Sequence, residues 1–204
     1  MPKTSSVTIT SGVFRGRKLA APDTSATHPM GSREKLALFN ALISAGADFS
    51  PSTRVLDLYA GSGALGLEAI SRGAGSAVFV DNNAKARAAI KENIDKLGIG
   101  LTKPSGAPVA RPVVTGELPI LRSRCRERSP DSLVSSDSFD LILVDPPYDN
   151  FPTDLTPVQN LLAPGGFLAL SHPDSVDPTE ILPDLALITT KSHAASRISI
   201  YCKR

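Results

Sequence analysis

The sequence predicts an α/β domain with a mostly parallel sheet. Two observations carry that expectation. Short apolar runs at 54–59, 76–80, 139–144 and 167–171 alternate with stretches of helical spacing. The first run leads into a glycine-rich turn, Tyr59-Ala60-Gly61-Ser62-Gly63, which opens directly into a helical pattern. Strand, tight glycine turn and helix in that order are how open α/β sheets hold nucleotides.

In chain order, Val7 and Ile9 alternate with polar residues and Gly12 and Gly16 follow, so residues 7–20 read as two short strands joined by a turn. This part is too small for a core of its own. Residues 1–30 are therefore set apart as a β extension from a main domain over 31–204. Ser32 is expected to cap a helix over about 33–45, with Leu36, Phe39, Asn40, Leu42 and Ile43 at helical spacing and Gly46 as its stop. A second helix follows the glycine turn through about residue 72, a strand over 76–80 ends at Asp81, and a third helix covers about 84–97. Val113-Val114 reads as a short strand. The stretch 122–137 is charged, polar and broken by proline, and is expected to be an exposed loop. Beyond the run 139–144, a helix around 153–163, a turn at Gly165-Gly166 and a strand at 167–171 follow. Residues 185–189 and 197–201 read as a closing antiparallel pair. There is no internal repeat.

Composition bounds the function loosely. The chain has 204 residues, 41% apolar and 21% charged, as ordinary soluble domains do. A formal net charge of +2 says little about nucleic acid, but its distribution says more. Residues 1–40 carry Lys3, Arg15, Arg17, Lys18, Arg33 and Lys35 against Asp23 and Glu34, and Arg122, Arg124, Arg126 and Arg128 stand against Glu127. Cys125 and Cys202 lack metal-ligand spacing and are expected as free thiols in a reducing compartment. His28, His172 and His193 form no metal pattern, and the last two are expected in loops or turns, so no metal is expected. With neither a signal-peptide core nor a membrane-length apolar run, the expectation is a cytoplasmic monomer away from membranes.

The chemistry is concentrated at strand ends. Gly61 and Gly63 let backbone approach a ligand closely. No Lys-Ser/Thr follows them, so the turn is not a P-loop. Asp81 lies 20 residues beyond Gly61, with Asn82 next to it, where a carboxylate accepts both ribose hydroxyls. Asp57, inside the first strand, would repel a pyrophosphate and favour a ligand carrying an amino group and a sulfonium. The set therefore points to S-adenosylmethionine. Asp145-Pro146-Pro147-Tyr148 ends a strongly apolar strand at the same sheet edge. The two prolines fix φ and remove two backbone donors, leaving the Asp145 carboxylate and the Pro146 carbonyl to accept the hydrogens of an exocyclic amine. Tyr148 is a stacking surface for the base, and a base inside a folded nucleic acid must be flipped out to reach it.

At this point the chain resembles the bacterial 16S rRNA guanine-N2 methyltransferase family. The resemblance runs through Gly12-Val13-Phe14-Arg15-Gly16-Arg17-Lys18-Leu19 and Pro29, then residues 33–40, then residues 55–74 with the helix Glu68-Ala69-Ile70-Ser71-Arg72-Gly73-Ala74, and residues 140–148. It implies a Rossmann-like class I methyltransferase fold: a mostly parallel seven-stranded sheet with a C-terminal antiparallel strand and a small N-terminal β extension. It implies S-adenosylmethionine as cofactor and 16S rRNA in the small ribosomal subunit as substrate. It assigns Asp57, Tyr59, Ala60, Gly61, Ser62, Gly63, Asp81 and Asn82 to the cofactor, Glu117 to the adenine side, and Asp145, Pro146, Pro147 and Tyr148 to catalysis. Arg15, Arg17, Lys18 and Arg33 are the candidate RNA contacts, with Arg33 and Glu34 lining the pocket of the flipped base. One departure is clear: the family has Thr-Arg-Pro where this chain has Thr27-His28-Pro29. Two other readings remain open from the residues alone, an adenine-N6 methyltransferase acting on DNA or RNA and a noncatalytic RNA-binding assembly protein.

Overall fold

The structure is a computed structural model that describes residues 7–22, 30–100, 138–193 and 196–204, together with the backbone of 111–115. Strands β1 (Val7–Thr8) and β2 (Lys18–Leu19) form an antiparallel hairpin. The main sheet is built from β3 (Arg54–Leu58), β4 (Ser76–Val80), β5 (Arg111–Thr115), β6 (Phe139–Val144), β7 (Leu162–His172), β8 (Ala186–His193) and β9 (Ser196–Cys202). Its order is β5-β4-β3-β6-β7-β9-β8. The first five of these strands run parallel, and β9 is antiparallel to both β7 and β8. The chain winds outward from β3 to β5 and then returns to β6 on the other side of β3. The switch point thus falls between β3 and β6, where the carboxyl ends of such strands leave a crevice for ligands.

Side-chain alternation along the strands divides the core into two layers. Val55, Ala77, Phe79, Leu141, Leu143, Ala169, Ile198 and Ile200 pack with α1 (Ser32–Ser44), α2 (Ala64–Arg72), α3 (Ala84–Leu97) and the hairpin. Leu56, Leu58, Ile142, Val144, Leu168, Leu170 and Tyr201 pack on the opposite face with Leu155, Val158 and Leu182, around the short helices α4 (Thr156–Gln159) and α5 (Pro178–Ile181). Among the described residues, no helix is long and apolar enough to cross a membrane.

The strands at 76–80 and 139–144 and the helix at 84–97 lie where the sequence places them. Several boundaries differ for local reasons. Gly31, not Ser32, is the N-cap of α1, and its N–H donates to the Glu34 carboxylate at 2.9 Å. The helix expected over 153–163 shortens to Thr156–Gln159, because β7 already begins at Leu162. Gly165-Gly166 therefore lies inside β7 rather than before it. The Gly165 N–H donates to the Lys203 carbonyl at 2.7 Å, the Lys203 N–H donates to the Gly166 carbonyl at 3.0 Å, and the register shift sits between Phe139 and Leu141 on the neighbouring strand. His172 is not in a loop. It closes β7 fully buried, with Nε2 at 2.8 Å from the Ser199 hydroxyl, and burial pushes its pKa down. The stretch 122–137, His28 and Glu117 lie outside the described residues.

The N-terminal hairpin packs on the main domain. Val7, Ile9 and Leu19 join its core. Gly12, at φ 79, presses so closely on α2 that a Cβ would stand 1.8 Å from the Ser71 carbonyl oxygen. That carbonyl accepts the Val13 N–H at 2.8 Å, and the Ser71 hydroxyl donates to the Ser11 carbonyl at 2.6 Å. Behind this contact lies a buried ionic cluster. Lys35 and Glu68 are both fully buried, with Nζ and Oε2 3.5 Å apart. Lys35 also donates to the Thr8 carbonyl at 2.7 Å. Glu68 accepts from the Thr10 N–H at 2.8 Å, from the Thr10 hydroxyl at 2.7 Å and from Arg72 Nε at 3.0 Å. The Arg72 guanidinium lies 4.7 Å from the Phe39 ring centroid. A buried charge stabilises only when its partners satisfy it, and removing one partner from such a pair costs about 3 kcal/mol. Lys35→Ala is therefore expected to lower the urea midpoint with an unchanged slope, by an amount equivalent to about 3 kcal/mol.

Candidate active site at the carboxyl edge of the sheet

The turn after β3 is shaped by backbone rather than by side chains. Tyr59 ends the strand at φ 58, a conformation that costs a non-glycine residue about 1–3 kcal/mol. Gly61 and Gly63 follow at φ 55 and φ 76. Gly63 is the N-cap of α2 and has no side chain to satisfy the helix's first N–H groups. Asp57 does so from inside β3: its carboxylate, 1% exposed, accepts the Gly66 N–H at 2.8 Å. The bond requires a close approach, because a Cβ on Gly66 would stand 2.4 Å from Phe79 and 3.0 Å from the Asp57 carboxylate. Gly61, Gly63 and Gly66 thus form a G-x-G-x-x-G series in which the third glycine serves helix–strand packing. That spacing is legible in the sequence, yet sequence reasoning singled out only the first two.

Asp81 sits just past β4 and joins this turn to the next one. One carboxylate oxygen accepts the Gly61 N–H at 2.8 Å and the other accepts the Asn83 N–H at 2.8 Å. Each oxygen keeps a second lone pair for a ligand hydroxyl. Asn82 is exposed beside it. Two asparagines that sequence reasoning missed support the turn. Asn83 caps α3 by accepting the Lys85 N–H at 2.8 Å. Asn93, fully buried in α3, donates to the Ser62 carbonyl and the Ala20 carbonyl, each at 2.9 Å, and accepts the Ala20 N–H at 2.7 Å. The burial of Asn93 reveals it, since in sequence it is an ordinary polar residue in a helical pattern, whereas Asn83 carries the usual N-cap signal of an asparagine just before a helix.

Asp145 enters from the neighbouring strand. Leu58 pairs with Val144, so Tyr59 and Asp145 emerge side by side, and the Asp145 N–H points to the Leu58 carbonyl at 3.4 Å. Pro146 is buried, and Pro147 at φ −64 leads into a single 3-10 turn over Tyr148–Asn150. The Tyr148 ring is 37% exposed, and its hydroxyl lies 2.8 Å from that of Ser171. Burial pushes the Asp145 carboxyl up to about 6; a hydrogen bond from Ser171 holds it down and the charge of Glu34 raises it. Burial likewise pushes Asp57 well above the usual carboxylate range, the Gly66 N–H opposes that, and the charges of Asp145 and Asp81 add to it.

The edge therefore gathers three carboxylates around a turn that carries no side chain at Gly61 and Gly63. Such a site repels a pyrophosphate and suits a ligand that brings a ribose and positive charge. S-adenosylmethionine meets both conditions. Asp57, Tyr59, Ala60, Gly61, Ser62, Gly63, Asp81, Asn82 and the 145–148 turn all fall on this edge. Arg33 is exposed beside Glu34 in the first turn of α1. Arg15, Arg17 and Lys18 are exposed on the hairpin, and Arg17 donates to the Lys96 carbonyl at 3.3 Å. The hairpin turn docks at the C-terminal ends of α2 and α3, and α2 alone separates it from the glycine turn by about 13 Å.

Replacing Gly66 with alanine is expected to push α2 away from β3 and loosen the Asp57 bond. Overpacking of this kind costs roughly 1–3 kcal/mol, and a loss of that size in S-adenosylmethionine binding is a fall in affinity of about 5- to 150-fold by calorimetry.

A family model described as Conserved hypothetical protein 95 matches residues 7–202. The Bacillus subtilis (strain 168) protein YlbH, whose name assigns it provisionally to the rRNA methyltransferases, is 28% identical over 200 residues, covering 96% of this chain and 98% of that one. Ribosomal RNA small subunit methyltransferase D of Escherichia coli (strain K12) is 37% identical over 94 residues, 46% of each chain. Among solved structures, yhhF from Escherichia coli, assigned there to the methyltransferases, matches with a TM-score of 0.71 at 24% identity over 98% of both chains.

Proposed function

Because the chain belongs to the conserved hypothetical protein 95 family and is an S-adenosylmethionine-dependent methyltransferase of Rossmann-like fold, we propose that it methylates the exocyclic N2 of a guanine in 16S rRNA of the small ribosomal subunit. The observation that carries this reading is the half-buried Asp145 at the start of a double-proline turn, close enough to Glu34 of α1 for that charge to raise its pKa. The names of the Bacillus subtilis and Escherichia coli relatives support rRNA as the acceptor class.

When bound, S-adenosylmethionine supplies a methyl group made electrophilic by its sulfonium. The chain's own residues do the rest by position and charge. Asp57 and the glycine turn hold the cationic end, and Asp81 takes the ribose. The Asp145 carboxylate and the Pro146 carbonyl accept the two amine hydrogens, which turns the nitrogen lone pair toward the methyl group. Tyr148 offers its ring to the flipped base. As positive charge develops on nitrogen, Asp145 stabilises it and then takes the proton.

Glu34 favours guanine over adenine. Guanine presents an N1–H donor beside its amine, whereas adenine presents a bare N1 acceptor beside its own. A second carboxylate near the clamp satisfies the first and is repelled by the second. The exposed arginines of the hairpin turn lie at the far end of α2 from the glycine turn, which favours a broad substrate, as an assembled or nearly assembled subunit provides.

The test uses labelled S-adenosylmethionine with small subunits lacking the modification, protein-free 16S rRNA and double-stranded DNA. N2-methylguanosine in the subunit is expected, and N6-methyladenine in any acceptor contradicts the reading. Asp145→Ala should lower kcat by roughly 100- to 1000-fold, the scale of losing one aligned electrostatic partner. Asp145 carries the charge that stabilises the developing cation, and can take the proton, only when ionised. Its carboxyl stands at about 6, so single-turnover rates should fall as pH drops through that value and level off above it. Glu34→Gln, which adds a donor, should lower kcat/KM for the subunit while leaving S-adenosylmethionine affinity unchanged.

A further inference from the structure

We propose that Ser171 is a positioning residue that fixes both halves of the amine clamp at once, the Asp145 carboxylate and the Tyr148 ring. The inference rests on the clamp reading given above. Ser171 lies in β7, next to β6, with only 3% of its surface exposed. Val144 pairs with Leu170 in parallel register, so Asp145 and Ser171 leave the two strands as neighbours. The Ser171 hydroxyl lies within hydrogen-bonding reach of Asp145 and 2.8 Å from the Tyr148 hydroxyl.

The proton count sets the direction of these bonds. An ionised carboxylate only accepts, and a serine hydroxyl has one hydrogen to give. Ser171 therefore donates to Asp145, and Tyr148 donates to Ser171. One oxygen of Asp145 is held by Ser171, which leaves the other aimed outward for the amine. The same serine anchors the edge of the Tyr148 ring and sets its plane against the base. A loop residue could not do this as well, because a strand interior locks its side chain relative to its neighbour. The other charged groups that interact electrostatically with Asp145 are Glu34 from α1 and Asp57 from β3, both acidic. Ser171 is thus the described donor that counters their effect on the clamp carboxylate.

The test compares pH–rate profiles of wild type, Ser171→Ala, Ser171→Thr and Tyr148→Phe, on small subunits lacking the modification. Loss of the donor raises the pH at which Asp145 ionises. Ser171→Ala should shift the acid limb to higher pH, lose about tenfold in kcat at neutral pH and recover most of it in alkali. Ser171→Thr keeps the hydroxyl and should keep the wild-type limb. Tyr148→Phe should keep that limb as well, because Ser171 still donates to Asp145, while raising KM for the subunit. An unshifted limb in Ser171→Ala overturns the inference, whatever the rate. Asp145→Ala separates the two levels. If that variant is inactive and Ser171→Ala has the wild-type limb, only the role of Ser171 fails. If Asp145→Ala is as active as wild type, the clamp reading fails and this inference falls with it.

Discussion

The hydrogen bond from the Gly66 N–H to the buried Asp57 carboxylate is the constraint on which the rest of the site depends. Helix α2 starts at a glycine and has no side chain of its own to cap it. A strand carboxylate supplies the cap instead, at 2.8 Å. That bond draws the helix so close to the sheet that only glycine fits at position 66. The turn between them must then reverse within a few residues, which it does through Tyr59, Gly61 and Gly63 in left-handed conformations. Removing side chains from the turn exposes its backbone to a ligand, and Asp81 holds it from the other side. The arrangement is electrostatically unfavourable by itself, since burial and mutual repulsion oppose ionisation of Asp57. A cationic ligand relieves that repulsion, so ligand binding and the stability of this edge are linked.

A second anchor lies on the helical side of the sheet. The Lys35–Glu68–Arg72 cluster joins α1, α2 and the N-terminal hairpin through partners that satisfy every charge in it. Lys35 follows Glu34 directly, so the buried end of α1 helps fix the carboxylate whose charge Asp145 feels. The hairpin is therefore both a carrier of exposed arginines and a brace for the clamp. It reaches the cofactor turn as well, since Asn93 bridges Ala20 and Ser62. Local packing thus connects the proposed RNA-contacting segment to both halves of the active edge, to the cofactor turn through the single side chain of Asn93.

Much of this was legible in the sequence, because the signals are local. Apolar runs of strand length and the glycine turn fixed the parallel core, and the chemistry-bearing acids fall at strand ends where such sheets bind ligands. What was not legible depends on contacts between distant segments. Glycine and proline at 164–166 read as a break, but long-range pairing with the C-terminus holds them in β7. His172 precedes a proline and reads as loop, yet Ser199 on the neighbouring strand buries it. Ser171, Asn93 and the cap at Gly31 are ordinary residues whose roles appear only when their partners are known. Gly66 is the exception. Its spacing from Gly61 and Gly63 was on view, and the packing demand behind it could have been inferred.

The most direct measurement is a nucleoside-resolved comparison of 16S rRNA from cells with and without this protein, complemented by wild type or by Asp145→Ala. The account predicts loss of a single N2-methylguanosine, restored by the wild-type chain and not by the variant. An unchanged N2-methylguanosine content, or loss of a methyl group from adenine, would contradict it.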